Sequence, residues 1–364
     1  GRVNSQVPPA TGRLQPAVSR LLIVRLGALG DIVHAVPVAA ALRQAYPDAR
    51  IDWVVSAKHR EILGLLEGLT SLIVVRPSSK ADGLSIPAAM REIRRTQYDV
   101  ALDLQGLLKS GVIARGSGAG RVIGFSPKYL REPLAAMFYT EQYDPGGAGM
   151  RDPGERRHVV DINLGMLGCL GLTPGAPRFP FVTTPSAVAD EMRQAVGGRY
   201  TLLNPGAAWP NKRWPAERFA SLATRLHARH QLRSVVLWGP GERALAEAIV
   251  AQANGAALLS PATRIADIMA LARGAAVMVS GDTGPTHVAA AVGTPIVGIF
   301  GPTRPERNGP WNPLDVTVSR AEVCQCHHRR QCRVAHWCLL DVEVDDVFSA
   351  VERRLDVTSP RAAG

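Results

Sequence analysis

Several ingredients are scarce in this sequence, and each scarcity excludes a class of protein. Five cysteines in 364 residues are too few for a disulfide scaffold. No apolar run reaches the roughly 18 residues of a membrane-spanning helix, and residues 1–19 contain no apolar core of a secretory signal. We therefore expect a cytoplasmic protein. With 46% hydrophobic and 20% charged residues, the chain is neither disordered nor fibrous.

Lysine is scarce as well, although the chain is basic. Only five of the 42 basic residues are lysines, and 31 acidic residues leave a formal charge of +11. Genomic base composition explains much of the arginine excess in a sequence rich in Ala, Gly and Pro. The functional explanation is an anionic partner such as phosphate, nucleic acid or an acidic membrane face. The positions of the cations must decide between the two.

Short apolar runs alternate with helical or polar segments along the chain. They predict strands at residues 21–24, 51–55, 72–75, 100–104, 122–125, 200–203, 234–237, 276–279 and 295–299. This alternation predicts an α/β fold with doubly wound, mostly parallel sheets. At about 150 residues per domain, the length predicts two domains.

The pattern divides the chain into four parts. We expect a flexible tail at 1–19, a first Rossmann-like domain at 20–185, a second at 186–342, and a C-terminal helix and tail at 343–364. Tandem domains of this kind leave a cleft between the carboxyl ends of their strands, where open α/β sheets bind ligands. Residues directly after each strand are therefore the candidates for function.

Four such loops contain suitable residues. Gly27, Gly30 and Asp31 follow the first strand, but they do not form the G-x-G-x-x-G dinucleotide fingerprint. Residues 204–215 combine small residues with the pair Lys212 and Arg213, which suits a loop around an anion.

The other two loops lie later in the second domain. Residues 280–287 open a helix whose N-terminus suits phosphate, and Glu242 after another strand suits a ribose diol. Helix capping is an equally good explanation for Asp31, Asp282 and Thr283. Together the four loops favour a nucleotide-diphosphate cleft.

Five motifs carry a resemblance to a known family. They are RLGALGDIVHAVP (25–37), DLQGLLKS (103–110), REPLAAMFY (131–139), NPGAAWPNKRWP (204–215) and GDTGPTHVAAAVGTPIVGIFGPT (281–303). The chain resembles the glycosyltransferase family 9 heptosyltransferases of lipopolysaccharide core synthesis, and within them the heptosyltransferase I branch most closely. The form Pro285-Thr286 departs from that branch. The resemblance implies a GT-B fold, with two Rossmann-like domains facing a cleft.

The resemblance also implies roles for single residues. Asp31 matches the general base, and Lys212 matches the lysine that contacts the donor phosphates and supports the leaving group. Glu242 matches an acidic residue near the adenosine ribose. The remaining donor-binding positions are Gly30, Ala207, Ala208, Asp282, Thr283, Gly284 and His287.

The implied reaction is an inverting transfer of heptose from ADP-L-glycero-D-manno-heptose to the Kdo region of the inner core. With cations at the diphosphate, we expect no metal cofactor in catalysis. Cations of the first domain suit an acidic glycolipid at the cytoplasmic face of the inner membrane. These acceptor-binding candidates are Lys58, Arg60, Lys109, Arg121, Lys128 and Arg131.

One segment lies outside this function. Cys324, Cys326, Cys332 and Cys338 form the spacing C-x-C-x5-C-x5-C, which is not a standard zinc-finger pattern. They could hold structural zinc or iron, or pack as reduced thiols.

Two other functions stay open at this point. A heptosyltransferase could act on a heptose or on a protein hydroxyl. A metal-bearing nucleic-acid-binding protein would explain the charge and the cysteines, but not four ligand loops at strand ends.

Overall fold

The protein folds into two parallel sheets of six strands each. The computed structural model describes residues 18–76, 82–152, 154–326 and 329–358. The first sheet has the order β3-β2-β1-β4-β5-β6 and the second the order β12-β11-β10-β7-β8-β9. Every pair of neighbouring strands is parallel. This architecture confirms the predicted fold class.

The first six strands along the chain form the first sheet, and the next six form the second. The first sheet contains β1 (Arg20–Val24), β2 (Arg50–Ser56), β3 (Ser71–Val75), β4 (Val100–Asp103), β5 (Arg121–Phe125) and β6 (Glu141–Tyr143). The second contains β7 (Tyr200–Asn204), β8 (Arg233–Val236), β9 (Ala257–Leu259), β10 (Val277–Gly281), β11 (Ile296–Phe300) and β12 (Val316–Ser319). The central strands are apolar and buried because helices cover both faces of a parallel sheet.

Helices connect the strands. In the first domain they are α1 (Leu29–Ala45), α2 (Arg60–Gly64), α3 (Ile86–Thr96), α4 (Leu108–Gly116) and α5 (Val159–Gly165). In the second domain they are α6 (Ala187–Val196), α7 (Ala216–His230), α8 (Arg243–Gln252), α9 (Ile265–Gly274), α10 (Gly284–Ala291), α11 (Pro305–Asn308) and α12 (Val344–Thr358).

The ends of several helices can be read from the sequence. Ser186, for example, accepts a hydrogen bond from the backbone N–H of Ala189 at 3.1 Å, and Gly197 ends α6 with a positive φ of 75°. A serine before and a glycine after a helix are common caps because one satisfies a free N–H and the other adopts the left-handed conformation.

Three strands were missing from the sequence prediction, and all three are edge strands. β6, β9 and β12 have only three, three and four residues and are partly exposed. Edge strands bury less side-chain surface, so their apolar pattern is weaker.

The tail predicted for residues 1–19 includes a residue of the folded domain at its C-terminal end. The backbone N–H of Ser19 donates to Asp99 Oδ2 at 2.8 Å, so Ser19 belongs to the folded domain. Residues 1–17 lie outside the described residues.

The two domains share a continuous interface. α1 packs against α10, and α2 packs against α9. One apolar cluster runs from the first sheet across this interface to α9 and α10, while a second lies on the outer side of the second sheet with α7 and α12. The interface brings the carboxyl ends of β1 and β10 towards each other, and these ends carry the candidate loops.

Candidate active site

The first-domain half of the cleft is the turn between β1 and α1. Arg25 Nη2 lies 2.6 Å from Asp31 Oδ2, and the backbone N–H of Ala28 donates to the same oxygen at 3.3 Å. Arg25 also donates to the carbonyl of Leu104 after β4. Asp31 thus caps α1, yet its side chain remains 46% exposed. Both interpretations of Asp31 from the sequence are compatible with this geometry.

The second-domain half is buried and held together by ion pairs and hydrogen bonds. Lys212 Nζ lies 2.6 Å from Asp282 Oδ2 and 4.6 Å from the ring centroid of Trp209. The side chains of Lys212 and Asp282 are only 14% and 9% exposed. Asn204 Nδ2 donates to Thr283 Oγ1 at 2.9 Å, which fixes the loop before α10. Asp282 therefore pairs with a cation and does not cap the helix.

Two histidines extend this arrangement across the domain interface. His287 Nε2 lies 3.0 Å from Asp282 Oδ1, and His287 Nδ1 lies 3.2 Å from His34 Nε2. Because an ionised carboxylate only accepts, His287 Nε2 carries the hydrogen, and in a neutral pair His34 Nε2 donates to His287 Nδ1. A chain of four side chains thus runs from Lys212 of the second domain to α1 of the first.

The electrostatics of this chain differ at its two ends. Burial disfavours the charged form of Asp282, but the hydrogen bond from His287 and the charge of Lys212 outweigh it and hold its pKa well below the usual range. Burial lowers the pKa of His34 well below its usual value, and the neighbouring His287 and His158 add to the effect. The chain is anionic at Asp282 and neutral at His34.

Two glycines allow the helices to approach. A Cβ at Gly30 would lie 2.5 Å from His287 Cδ2, and a Cβ at Gly284 would lie 2.8 Å from Leu29 Cδ2. Each helix start therefore contacts the other through a residue without a side chain.

Glu242 lies against the loop after β7. A Cβ at Gly206 would lie 1.9 Å from Glu242 Oε2, and Arg213 Nη2 is 3.6 Å from Glu242 Oε1. The carbonyl of Ala207 accepts a hydrogen bond from Arg213 Nε at 2.9 Å, and Ala208 next to it is exposed. The predicted donor positions of the second domain therefore lie at the carboxyl edge of its sheet, in the segments after β7, β8 and β10 and in the first turn of α10.

Most of the predicted acceptor cations lie at the carboxyl edge of the first sheet. Lys58 and Arg60 follow β2, Lys109 is the second residue of α4, and Lys128 and Arg131 follow β5. Lys128 already pairs with Asp144 at 2.9 Å. Within the described ranges the other four have no ion-pair partner, and their side chains are exposed.

Arg121 does not lie with them, and this corrects the sequence prediction. It begins β5 and therefore lies at the amino edge of the sheet, away from the cleft. Its Nε and Nη2 lie 2.5 and 2.7 Å from the two carboxylate oxygens of Glu141, and Nη2 also donates to the Cys169 carbonyl at 2.7 Å. Arg121 serves the structure of this edge.

Four residues near the site were not among the predicted site residues. Arg25 orients Asp31, and His34 contacts His287. His158 packs edge-on against His34 with 5.5 Å between ring centroids, and a Cβ at Gly27 would lie 2.9 Å from His59 Cδ2. One sequence signal could have found His34: it lies three residues after Asp31 on the same helix, which puts the two side chains on one face.

The cysteine segment forms a separate cluster in the second domain. The four cysteines, together with His336 and Asp341, line a cavity of about 280 Å³. Asn211 Nδ2 lies 3.7 Å from Cys332 Sγ, and the backbone N–H of Arg333 donates to Cys326 Sγ at 3.4 Å. Among the described residues, no group of three Cys, His, Asp or Glu side chains is already arranged to hold a metal ion.

Comparison with known proteins identifies the family. The sequence profile of Glycosyltransferase family 9 (heptosyltransferase) matches residues 86–338. The chain belongs to glycosyltransferase family 9. Lipopolysaccharide heptosyltransferase 1 of Pseudomonas aeruginosa is 30% identical over 329 residues, which cover 86% of this chain and 87% of the relative.

Solved structures agree on the fold. The family 9 glycosyltransferase of Veillonella parvula superposes with a TM-score of 0.77 at 23% identity, covering 93% of this chain and 98% of that one. The heptosyltransferase WaaC of Escherichia coli, solved with ADP, superposes with a TM-score of 0.69 at 22% identity and the same coverage. WaaC has also been solved with ADP-2-deoxy-2-fluoro heptose.

Family membership confirms that the chain is a heptosyltransferase and argues against the nucleic-acid-binding alternative. In the part of the chain that the structure describes, none of the helices combines the length and apolarity needed to cross a bilayer.

Proposed function

We propose that this family 9 heptosyltransferase transfers heptose from ADP-L-glycero-D-manno-heptose to the Kdo region of the lipopolysaccharide inner core, with inversion at the anomeric carbon. One observation carries the proposal. Asp31 of the first domain and the chain Lys212–Asp282–His287 of the second border one cleft, and Gly30 contacts His287 there. The names of the relatives, which are lipopolysaccharide heptosyltransferases, supply the substrate class.

Each half of the cleft has its own task in this mechanism. The acceptor hydroxyl attacks the anomeric carbon on the face opposite the diphosphate, Asp31 accepts its proton, and the bond from carbon to ADP oxygen breaks. Arg25 keeps the Asp31 carboxylate oriented towards the cleft. A positioned general base contributes about 10²–10⁴-fold to the rate.

The leaving group gains negative charge as the bond breaks. Lys212 and the N-terminus of α10, which begins at Gly284, supply positive charge on that side. Because these groups match charge that grows in the transition state, they accelerate the reaction and do not merely bind the donor. This arrangement performs the transfer without a divalent metal.

ADP release from ADP-heptose with a panel of acceptors tests the proposal. Release should occur with Kdo–lipid A and not with heptosylated core or with a peptide hydroxyl, and EDTA should leave its rate unchanged. Asp31→Asn should slow it by about 10²–10⁴-fold while ADP affinity stays constant.

Three results would refute parts of this. Near-normal turnover of Asp31→Asn removes the assigned base. Release only with heptosylated core or a peptide moves the acceptor to one of the alternatives, and loss of activity in EDTA makes a metal necessary.

The acceptor is a lipid, so we also place the enzyme peripherally at the cytoplasmic face of the inner membrane. The exposed cations Lys58, Arg60, Lys109 and Arg131 at the first-domain edge support this.

For the cysteine segment, reduced packing and a structural zinc or iron both stay open. Metal analysis after anaerobic purification decides between them: a stoichiometric metal supports the site, and its absence leaves packed thiols.

A further inference from the structure

Four of the nine exposed large apolar side chains among the described residues lie on one part of the first domain. Leu134 and Met137 are 70% and 74% exposed, the highest values among the large apolar residues described. Both lie in the 3₁₀ turn at Pro133–Phe138, three residues apart and thus on one face. Leu108 and Val112 are also exposed and lie four residues apart on one face of α4.

These two faces adjoin each other. The backbone N–H of Leu108 donates to Glu132 Oε2 at 2.7 Å, and a Cβ at Gly111 would lie 2.8 Å from Phe138 Cδ2. α4 therefore packs directly on the turn, and the four exposed side chains belong to one surface. We call Leu108, Val112, Leu134 and Met137 the apolar patch.

Basic residues border the apolar patch. Lys109 lies beside Leu108, Arg115 lies one turn beyond Val112 on the same helix, and Arg131 precedes the turn. All three are exposed, and none has an ion-pair partner among the residues with described positions. Three exposed cations against the exposed Glu132 leave net positive charge beside the apolar side chains, which suits the boundary between anionic headgroups and acyl chains.

The patch is also connected to the catalytic turn. Gln105 Oε1 accepts hydrogen bonds from the backbone N–H groups of Leu26 at 2.8 Å and Gly27 at 3.3 Å, and α4 begins only three residues after Gln105. A surface seated on the patch would therefore lie beside the turn that ends in Asp31.

We propose that the apolar patch and its cations seat the enzyme on an anionic bilayer surface, so that the lipid acceptor reaches Asp31 without leaving the membrane. This rests on the proposed function for its purpose, but vesicle binding can be measured without any transfer reaction. Because cations border the apolar patch, it suits an anionic bilayer and not a second copy of this basic chain.

Sedimentation with phosphatidylglycerol-containing vesicles tests whether the apolar patch binds an anionic bilayer. The full chain should bind them and bind pure phosphatidylcholine vesicles much less. The double variant Leu134→Ser with Met137→Ser should bind at least about tenfold more weakly, because two apolar side chains no longer enter the interface. The double variant Lys109→Gln with Arg131→Gln should bind the anionic vesicles about fivefold more weakly for each cation removed, with no change in its binding to pure phosphatidylcholine vesicles.

A matched control uses exposed apolar residues of the second domain. Leu314→Ser with Val357→Ser removes two side chains that are 50% and 54% exposed and should bind like the unaltered chain. ADP affinity of every variant shows that the fold is intact.

Three results would overturn the proposal. These are no binding of the unaltered chain, equal binding of the Leu134/Met137 variant, or a loss of self-association in that variant by sedimentation velocity without loss of vesicle binding. The last result would assign the patch to a second copy of the chain. Failure of ADP release with every acceptor would instead refute the proposed function and leave vesicle binding unaffected.

Discussion

The two halves of the cleft are organised in different ways. In the second domain, Lys212, Asp282 and His287 are nearly buried, and Asp282 pairs with both of the other two. In the first domain, Asp31 is half exposed with one ion pair, and among the described residues four of the five acceptor candidates at the same sheet edge have no ion-pair partner. A nucleotide donor of fixed chemistry suits a built site, whereas a large and variable glycolipid suits an open one.

This contrast has an energetic side. An unpaired charge in the second-domain half would cost much free energy because it is shielded from water. The exposed cations of the first domain cost little when unpaired, so they can exchange water for an acceptor. The two halves should therefore respond differently to the loss of one charged group.

The largest effect is expected from Asp282→Asn. It leaves Lys212 and His287 without their anionic partner, which should lower the free energy of unfolding by about 3 kcal/mol and also weaken ADP binding. Urea denaturation and ADP titration measure the two effects. An unchanged stability would mean that the second-domain half is not preorganised.

Asp315→Asn provides the matched control. Asp315 pairs with Arg354 at 2.8 Å, and both side chains are at most 3% exposed. This variant should lose similar stability but retain ADP affinity, because the pair lies outside the cleft.

The depressed pKa of Asp282 also predicts an acid dependence. A carboxyl group with a lower pKa in the folded state stabilises fully above the unfolded value of about 3.9, and this contribution is lost as the pH falls below it. The acid unfolding of Asp282→Asn should lack this component.

A smaller effect is expected at the junction of the two halves. His34→Ala should lower kcat/KM about tenfold because His287 loses a hydrogen-bond partner, and His34→Gln, which keeps an N–H donor, should recover most of it. Equal loss in both variants would indicate that His34 only fills space.

The pH dependence of stability separates a polar role of His34 from packing. The lowered pKa of His34 means that the unfolded chain takes up a proton at higher pH than the native protein does. Stability should therefore fall as the pH drops below about 6.5, and this slope should diminish in His34→Gln. His287, His158, Asp282 and Arg25 surround His34, so the comparison with the unaltered chain must cover the same pH range.

The smallest effect is expected among the proposed acceptor-binding cations, where the size of the effect should distinguish unpaired from paired side chains. Arg60→Gln should raise the KM of the acceptor several-fold, and Lys128→Gln should raise it less because Lys128 already pairs with Asp144. ADP affinity should stay the same in both. Arg121→Gln is the control: it should reduce stability without changing the KM of the acceptor, and equal KM changes in all three would contradict the assignment.

The sequence predicted the centre of each sheet well and its edges poorly. Inner strands such as β1 and β11 are largely apolar because both faces of the sheet are buried there, whereas β6, with the sequence EQY, has no apolar run. Pattern reasoning depends on burial, so the elements with least burial escape it.

The site shows the same limit. The loops after strands could be predicted because the carboxyl ends of parallel strands converge. Arg121 was wrongly included because it is the first residue of its strand and lies at the opposite edge of the sheet. His34 escaped because its partner, His287, lies 253 positions away in the chain. Contacts of that kind depend on how two domains meet, which no local pattern contains.

The glycine pair at the start of α1 and α10 has a consequence for how this enzyme can vary. Since a single methyl group at position 30 would overlap the His287 ring, the spacing between the domains is set to the width of a bare backbone. The size of the residue at position 30 thus determines how closely the two domains can approach. Any residue larger than glycine at this position would hold the two halves of the cleft apart, even if every other side chain of the site were unchanged.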